Sequence, residues 1–344
     1  MQAAIITGRG RVELQEFPEP EPAVEGVVVD VRYCGICGTD VHAYQSGDPY
    51  PPALCGHEWT GAVSKLGAGV SDLREGDRVT VAIKPPCGAC LECRAGHEDN
   101  CRRALNAQGG GDRCGSDHGG FAPSIAVSAD RVARVPAGLS DEAAAQVEPV
   151  TVAYHAVRRS GLRLGDRVLV QGAGPIGLYT LQWVRAAGAA EVFVVESSPA
   201  RQQLAQELGA TQVFAPGEEA RQAVLDRTEG LGIDTVFECV GRPETLQTAA
   251  DFARTGASLM VIGLSDLDAP VKPSVWLRKE LTVACSMGYH HTEFERAMAM
   301  MAEGRVIADP LHSRTVGMTG IEAAISELAA GPSQDVKILL DPRA

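Results

Sequence analysis

Up to about residue 150 the chain carries short apolar runs, several with β-branched residues, separated by glycine and proline turns. Val27 to Tyr33, Val79 to Ile83 and Ser124 to Val127 read as strands, and their spacing predicts an antiparallel or barrel-like domain. Pro18, Pro20 and Pro22 punctuate the exit from a first hairpin-like segment. The pattern then changes. Arg167 to Gln171, Glu191 to Glu196, Gln212 to Ala215, Thr235 to Cys239 and Ser258 to Ile262 are apolar runs of strand length, with helical stretches such as Ala200 to Leu208 and Pro243 to Phe252 between them. Strands alternating with helices predict a parallel, doubly wound sheet. Beyond about Gly288 the alternation fades. The expected organisation is therefore a β-rich domain of residues 1–150 and 289–344, interrupted by an α/β coenzyme-type domain of residues 151–288.

Composition narrows the function. A chain of 344 residues with 45% hydrophobic content can build two cores. Its 44 acidic and 31 basic residues leave a net charge of −13, which weighs against nucleic acid or an anionic membrane as partner. No apolar stretch approaches the roughly eighteen residues that span a bilayer. The start, Met1 to Ile6, lacks the basic and apolar segments of a secretory signal, so a cytoplasmic, reducing location is expected.

That location changes how the cysteines are read. Cys87, Cys90, Cys93 and Cys101 have the close spacing of a closed thiolate cage around a structural zinc, in a lobe of about residues 86–102; disulfides are the alternative in an oxidising setting. A second set, Cys37, His57 and Glu58, offers a thiolate, an imidazole and a carboxylate, with Glu148 as a fourth ligand. Three protein ligands leave room for water or substrate, as a catalytic zinc requires. Cys34, Cys55, Cys239 and Cys285 lie in or beside apolar runs and are expected to be buried, while Cys114 sits in a glycine-rich connector. His290 and His291 read as surface or hinge residues.

After the strand Val168 to Val170 comes Gly172-Ala173-Gly174-Pro175-Ile176-Gly177, opening a helix. In that context the glycines permit a tight turn, approach of a pyrophosphate and close helix packing, with the helix N-terminus facing the phosphates. Glu196 ends the next strand, where a carboxylate binds both ribose hydroxyls and repels a 2′-phosphate. NAD is thus expected over NADP, with Arg201 as a guanidinium that partly offsets that repulsion.

Taken together, Gly56-His57-Glu58, the four-cysteine lobe and the later glycine fingerprint resemble the zinc-dependent medium-chain alcohol dehydrogenase family. The resemblance implies a GroES-like catalytic domain, a Rossmann coenzyme domain inserted before its C-terminal portion, a cleft between them, two zinc ions per chain, NAD, and a homodimer or homotetramer. Glu148 stands where many alcohol dehydrogenases of the family carry a second cysteine ligand, which resembles the polyol, butanediol and threonine dehydrogenase branch. There Glu58 and Glu148 would alternate on the metal, Thr39 would accept the substrate proton, His42 would relay it, and Asp40 would orient His57. The implied reaction moves a hydride between NAD and a secondary alcohol, diol, polyol or amino alcohol and its ketone. A zinc-free quinone or enoyl reductase, or a non-catalytic NAD-binding protein, is the alternative on the same fold.

Overall fold

The computed structural model describes residues 1–331 and 333–344. They form two compact units: Met1–Glu148 with His290–Glu303 and Ile307–Ala344, and Pro149–Tyr289 with Gly304–Val306.

The first unit opens with an antiparallel ribbon of β1 (Gln2–Gly8) and β2 (Arg11–Glu16). Its main sheet is built from β3 (Gly26–Gly35), β4 (Glu58–Leu66), β5 (Arg78–Val81), β6 (Ser124–Ser128) and β7 (Val132–Arg134). β3 is the spine, pairing antiparallel with β4 and, over Gly26 to Asp30, with β6. Val27, Val29 and Val31 alternate into a core with Trp59, Val63 and Phe121. Fully burying such a side chain contributes about 1.5–3 kcal/mol. The register sets Cys34 opposite Trp59 and Gly35 opposite Glu58. The end of β3 therefore lies beside the start of β4, and residues just past one and just before the other converge.

The second unit is a six-stranded parallel sheet of β8 (Arg167–Gln171), β9 (Glu191–Val195), β10 (Gln212–Phe214), β11 (Ile233–Glu238), β12 (Ala253–Val261) and β13 (Thr282–Cys285), in the order β10-β9-β8-β11-β12-β13. The strand order reverses between β8 and β11, where open α/β sheets form a crevice for ligands. Leu169, Phe193, Val236, Phe252 and Leu259 fill the core on one face. β12 starts at Ala253, ahead of the apolar run, because Ala253 pairs with Ile233 before a register irregularity. β13 lies at the sheet edge, so Cys285 is exposed, contrary to the expectation drawn from its apolar neighbours. Cys34 and Cys55 are fully buried.

Past the second unit, His290 caps the helix His291–Ala302 and brings Nε2 within 3.1 Å of Glu98 in the cysteine-rich lobe; His291 Nδ1 donates to Ile83 O at 2.7 Å. The chain returns to the main sheet as β14 (His312–Gly317) and β15 (Lys337–Asp341). β15 runs parallel to β14 and antiparallel to the end of β3, with Leu339 opposite Gly35 and Leu340 opposite Cys34. Among the described residues no helix is long and apolar enough to cross a membrane.

Candidate metal centres and coenzyme loop

Cys37 is the N-cap of the helix Gly38–Ser46, its Sγ accepting from Thr39 N at 3.4 Å. The helix start thus turns its unpaired N–H groups toward the sulfur. Ligand atoms of Cys37, His57 and Glu58 all lie within 4.8 Å of one another. His57 Nδ1 donates to Leu54 O at 3.0 Å, which leaves Nε2 for a metal. Burial alone would lower the His57 pKa, but Cys37, then Asp40 and Glu148, overcome that and hold it well above the usual histidine range. A proton on His57 there does what a cation would do, since the Cys37 thiol and the carboxyl groups of Asp40, Glu58 and Glu148 share a single buried lysine among the described residues. A donor set of one thiol, one imidazole and carboxylates fits zinc.

That lysine was not legible in the sequence. Lys337 on β15 donates to Glu58 Oε2 at 2.6 Å and to Ile36 O at 3.0 Å, fully buried. Glu58 reaches this position because residue 35 is glycine; a Cβ there would sit 2.2 Å from Glu58 Oε2. Glu148 lies outside the tight three-residue group but within its electrostatic field. Burial, opposed by His57 and reinforced by Glu58, pushes its carboxyl up to about 7.

Asp40 acts on the His57 ring through its charge, and its hydrogen bonds go elsewhere. Its Oδ2 accepts from Cys37 N and its Oδ1 from the Tyr50 hydroxyl, each at 3.0 Å, so it completes the helix cap; the hydrogen bond that orients His57 is to the Leu54 carbonyl. The capping-box geometry explains this, since an acidic residue three past the N-cap folds back onto the cap amide. Thr39 is exposed, with Oγ1 3.5 Å from Cys37 Sγ, and His42 lies half-buried three residues further along the same helix face.

In the second cluster Cys87, Cys90, Cys93 and Cys101 converge with their thiols free. Cys90 Sγ lies 3.4 Å from Cys93 Sγ and 3.9 Å from Cys101 Sγ. Zn–S bonds of about 2.3 Å in a regular tetrahedron place sulfurs about 3.8 Å apart, so the cage fits zinc. Amides of Cys87 and Cys90 donate to Cys101 Sγ and Cys87 Sγ, as thiolates require.

In the second unit Gly172 takes φ +94°, and a Cβ at Gly177 would meet Gly172 O at 1.9 Å. Gly174 caps the helix Pro175–Ala186, with Pro175 and Ile176 in its first turn. Glu196, directly after β9, is buried. It accepts from Ala173 N at 2.7 Å and from Ser198 N at 2.8 Å, so the carboxylate expected to meet a ribose also clamps the glycine loop. Arg201 Nη1 comes within 4.0 Å of the Cβ position on Gly174.

Residues 24–137 match the family described as alcohol dehydrogenase GroES-like domain, and residues 175–303 that described as zinc-binding dehydrogenase. The chain is 33% identical to (R,R)-butanediol dehydrogenase of Bacillus subtilis, over 99% of this chain and 100% of that one. The crystal structure of 2R,3R-butanediol dehydrogenase from Bacillus subtilis superposes with a TM-score of 0.85 at 32% identity, covering 99% of each chain. A putative zinc-binding dehydrogenase from Sinorhizobium meliloti bound to NADP gives a TM-score of 0.85 at 29% identity, again over 99% of each chain. These relatives favour a zinc-dependent dehydrogenase over a zinc-free reductase on the same fold.

Proposed function

The chain belongs to the zinc-dependent medium-chain alcohol dehydrogenase family, and from that premise we propose that it interconverts the secondary alcohol of a diol or polyol and the corresponding ketone, with NAD as hydride carrier. The observation that carries this reading is the convergence of Cys37, His57 and Glu58, with the carboxylate of Glu148 nearby. The butanediol-specific name of the relative supports a substrate with neighbouring oxygens.

When bound, zinc supplies a Lewis acid that acidifies a hydroxyl, and NAD supplies the hydride acceptor. Cys37, His57 and a carboxylate from Glu58 or Glu148 would hold the metal, and the four-cysteine lobe would hold the second zinc. The chain's own residues do the rest. Leu54 fixes the His57 ring, Lys337 neutralises Glu58, and the cap formed by Asp40 holds Cys37 at the helix start. Thr39 Oγ1, exposed next to Cys37, takes the proton from the substrate hydroxyl, and His42 on the same helix face passes it to solvent.

On the coenzyme side, the helix start at Gly174 to Gly177 receives the pyrophosphate. Glu196 favours free ribose hydroxyls over a 2′-phosphate, and the approach of Arg201 to Gly174 suits a pyrophosphate contact. The exposed edge strand β13, with Val283 and nearby Leu277 and Met287 exposed, supports a homodimer or homotetramer joined through coenzyme units. Two centres that need reduced thiolates support a cytoplasmic location.

The test is NADH formation by zinc-loaded protein across secondary alcohols, vicinal diols, sugar alcohols and threonine, with NADP and chelator-treated protein in parallel. Zinc-dependent turnover, fastest with NAD and a vicinal diol or polyol, is the expected result. Equal rates after chelation, or none across the panel with both metal sites filled, would overturn the reading.

A further inference from the structure

Tyr50 lies between the thiol and imidazole arms of the metal centre. It sits in Pro49-Tyr50-Pro51-Pro52, just ahead of the short 3₁₀ turn Pro52–Leu54. Proline fixes its own φ and presses the residue before it toward extended backbone, so this stretch has little freedom. The ring is partly buried against the core of the first unit. Its hydroxyl reaches two acceptors, Asp40 Oδ1 at 3.0 Å and Leu54 O at 3.4 Å. Each of them already serves a different metal ligand. Asp40 Oδ2 accepts from the Cys37 amide at 3.0 Å, and Leu54 O accepts from His57 Nδ1 at 3.0 Å. One phenol therefore stands where the group that fixes the thiol meets the group that fixes the imidazole.

Asp40 is 0% exposed, and Tyr50 is the donor to its Oδ1 among the described residues. Without that hydroxyl the carboxylate oxygen has neither a partner nor water, which costs more than the bond itself contributes. The carboxylate can regain a donor only by turning, and turning takes Oδ2 off the Cys37 amide. The Leu54 side is firmer. Gly119 N donates to Pro52 O at 2.9 Å and Gly120 N to Gly56 O at 2.7 Å, so the turn that carries the Leu54 carbonyl is tied down at both ends. Movement therefore falls on Asp40 and, through it, on Cys37. We infer that Tyr50 is a positioning residue of the metal centre, holding the Cys37 arm in register with the His57 arm through Asp40 and Leu54. This rests on the metal-centre reading above, and adds to it a residue outside the ligand set that decides how firmly the ion is kept.

The experiment follows zinc release from the fully loaded protein into a chromogenic chelator, for the wild type, Tyr50→Phe, Asp40→Ala and the double variant, with thermal melting of each. Phenylalanine keeps the ring and removes only the hydroxyl. Cys37→Ala marks the phases: the zinc it lacks belongs to the Cys37 centre, and the zinc it keeps belongs to the four-cysteine cage. In Tyr50→Phe the Cys37-centre phase is expected to run about tenfold or more faster, the loss usual for a removed partner of a metal ligand, while the cage phase keeps its wild-type rate. Asp40→Ala should release as fast alone as it does together with Tyr50→Phe, because the hydroxyl acts through that carboxylate. If Asp40→Ala does not fold, the two phases of Tyr50→Phe decide by themselves. An unchanged Cys37-centre phase in Tyr50→Phe overturns the inference. So do two phases accelerated alike with a lowered melting temperature, since the hydroxyl then supports the fold and not the centre. A wild-type protein that releases no more zinc than Cys37→Ala removes the metal-centre reading, and the inference with it.

Discussion

Lys337 and Glu58 form a fully buried ion pair, Nζ to Oε2 at 2.6 Å, that ties β15 to the first residue of β4 at the metal centre. Removing one partner of such a pair leaves a charge in a low-dielectric site, which costs far more than the pair itself contributes. Lys337→Met is expected to destabilise the protein by about 3–5 kcal/mol in urea unfolding and to weaken zinc retention. The double variant Lys337→Met with Glu58→Gln should recover much of the stability, because neither partner is then left charged. If the single and double variants unfold alike, the pair is not coupled.

In metal-free protein, stability should fall as pH rises from about 4.5 toward 7. Glu148 has its carboxyl pushed from 4.5 up to about 7, chiefly by burial. Below the unfolded value the group is neutral in both states and costs nothing. Between the two values the unfolded chain releases its proton while the folded one keeps it, and the difference grows to the order of 3 kcal/mol. His57, held above its ordinary range, acts in the same direction: its contribution is full below the unfolded pKa and is lost as pH rises through the folded one. Glu148→Gln should flatten the lower part of this slope in thermal melts of chelated protein, and an unchanged slope would contradict the assignment.

Thr39→Val should lower kcat about a hundredfold, in the range of a lost proton-transfer group, while zinc content and NADH affinity stay as in the parent. His42→Gln should cost less, because a water can stand in for a relay nearer solvent. Unchanged turnover in Thr39→Val would remove it from the proton path.

What the amino-acid pattern reveals here is what lies close in sequence. Four cysteines within fifteen residues announce their cage, and Gly172 to Gly177 announce a phosphate loop once a strand precedes them and a helix follows. Partners separated by most of the chain stay hidden. Lys337 follows Glu58 by 279 residues, and a lone lysine in an apolar run looks like a strand's solvent-facing residue until β15 is placed against β3. Asp40 stands three residues past the helix cap, a spacing that places its carboxylate on the cap amide while its charge still acts on His57. Cys285 is exposed despite its apolar neighbours because such a run is buried only where its strand is covered, and β13 is an edge.

The long reach between Glu58 and Lys337 also orders events in time. At about 5–20 residues per second on the ribosome, a quarter to nearly a full minute separates the synthesis of these two residues. The four thiolates of the small lobe emerge together and can take up their ion while the chain is still growing. The cation that pairs with Glu58 reaches the other centre only when β15 arrives, so the final electrostatic form of that centre is a product of completed folding.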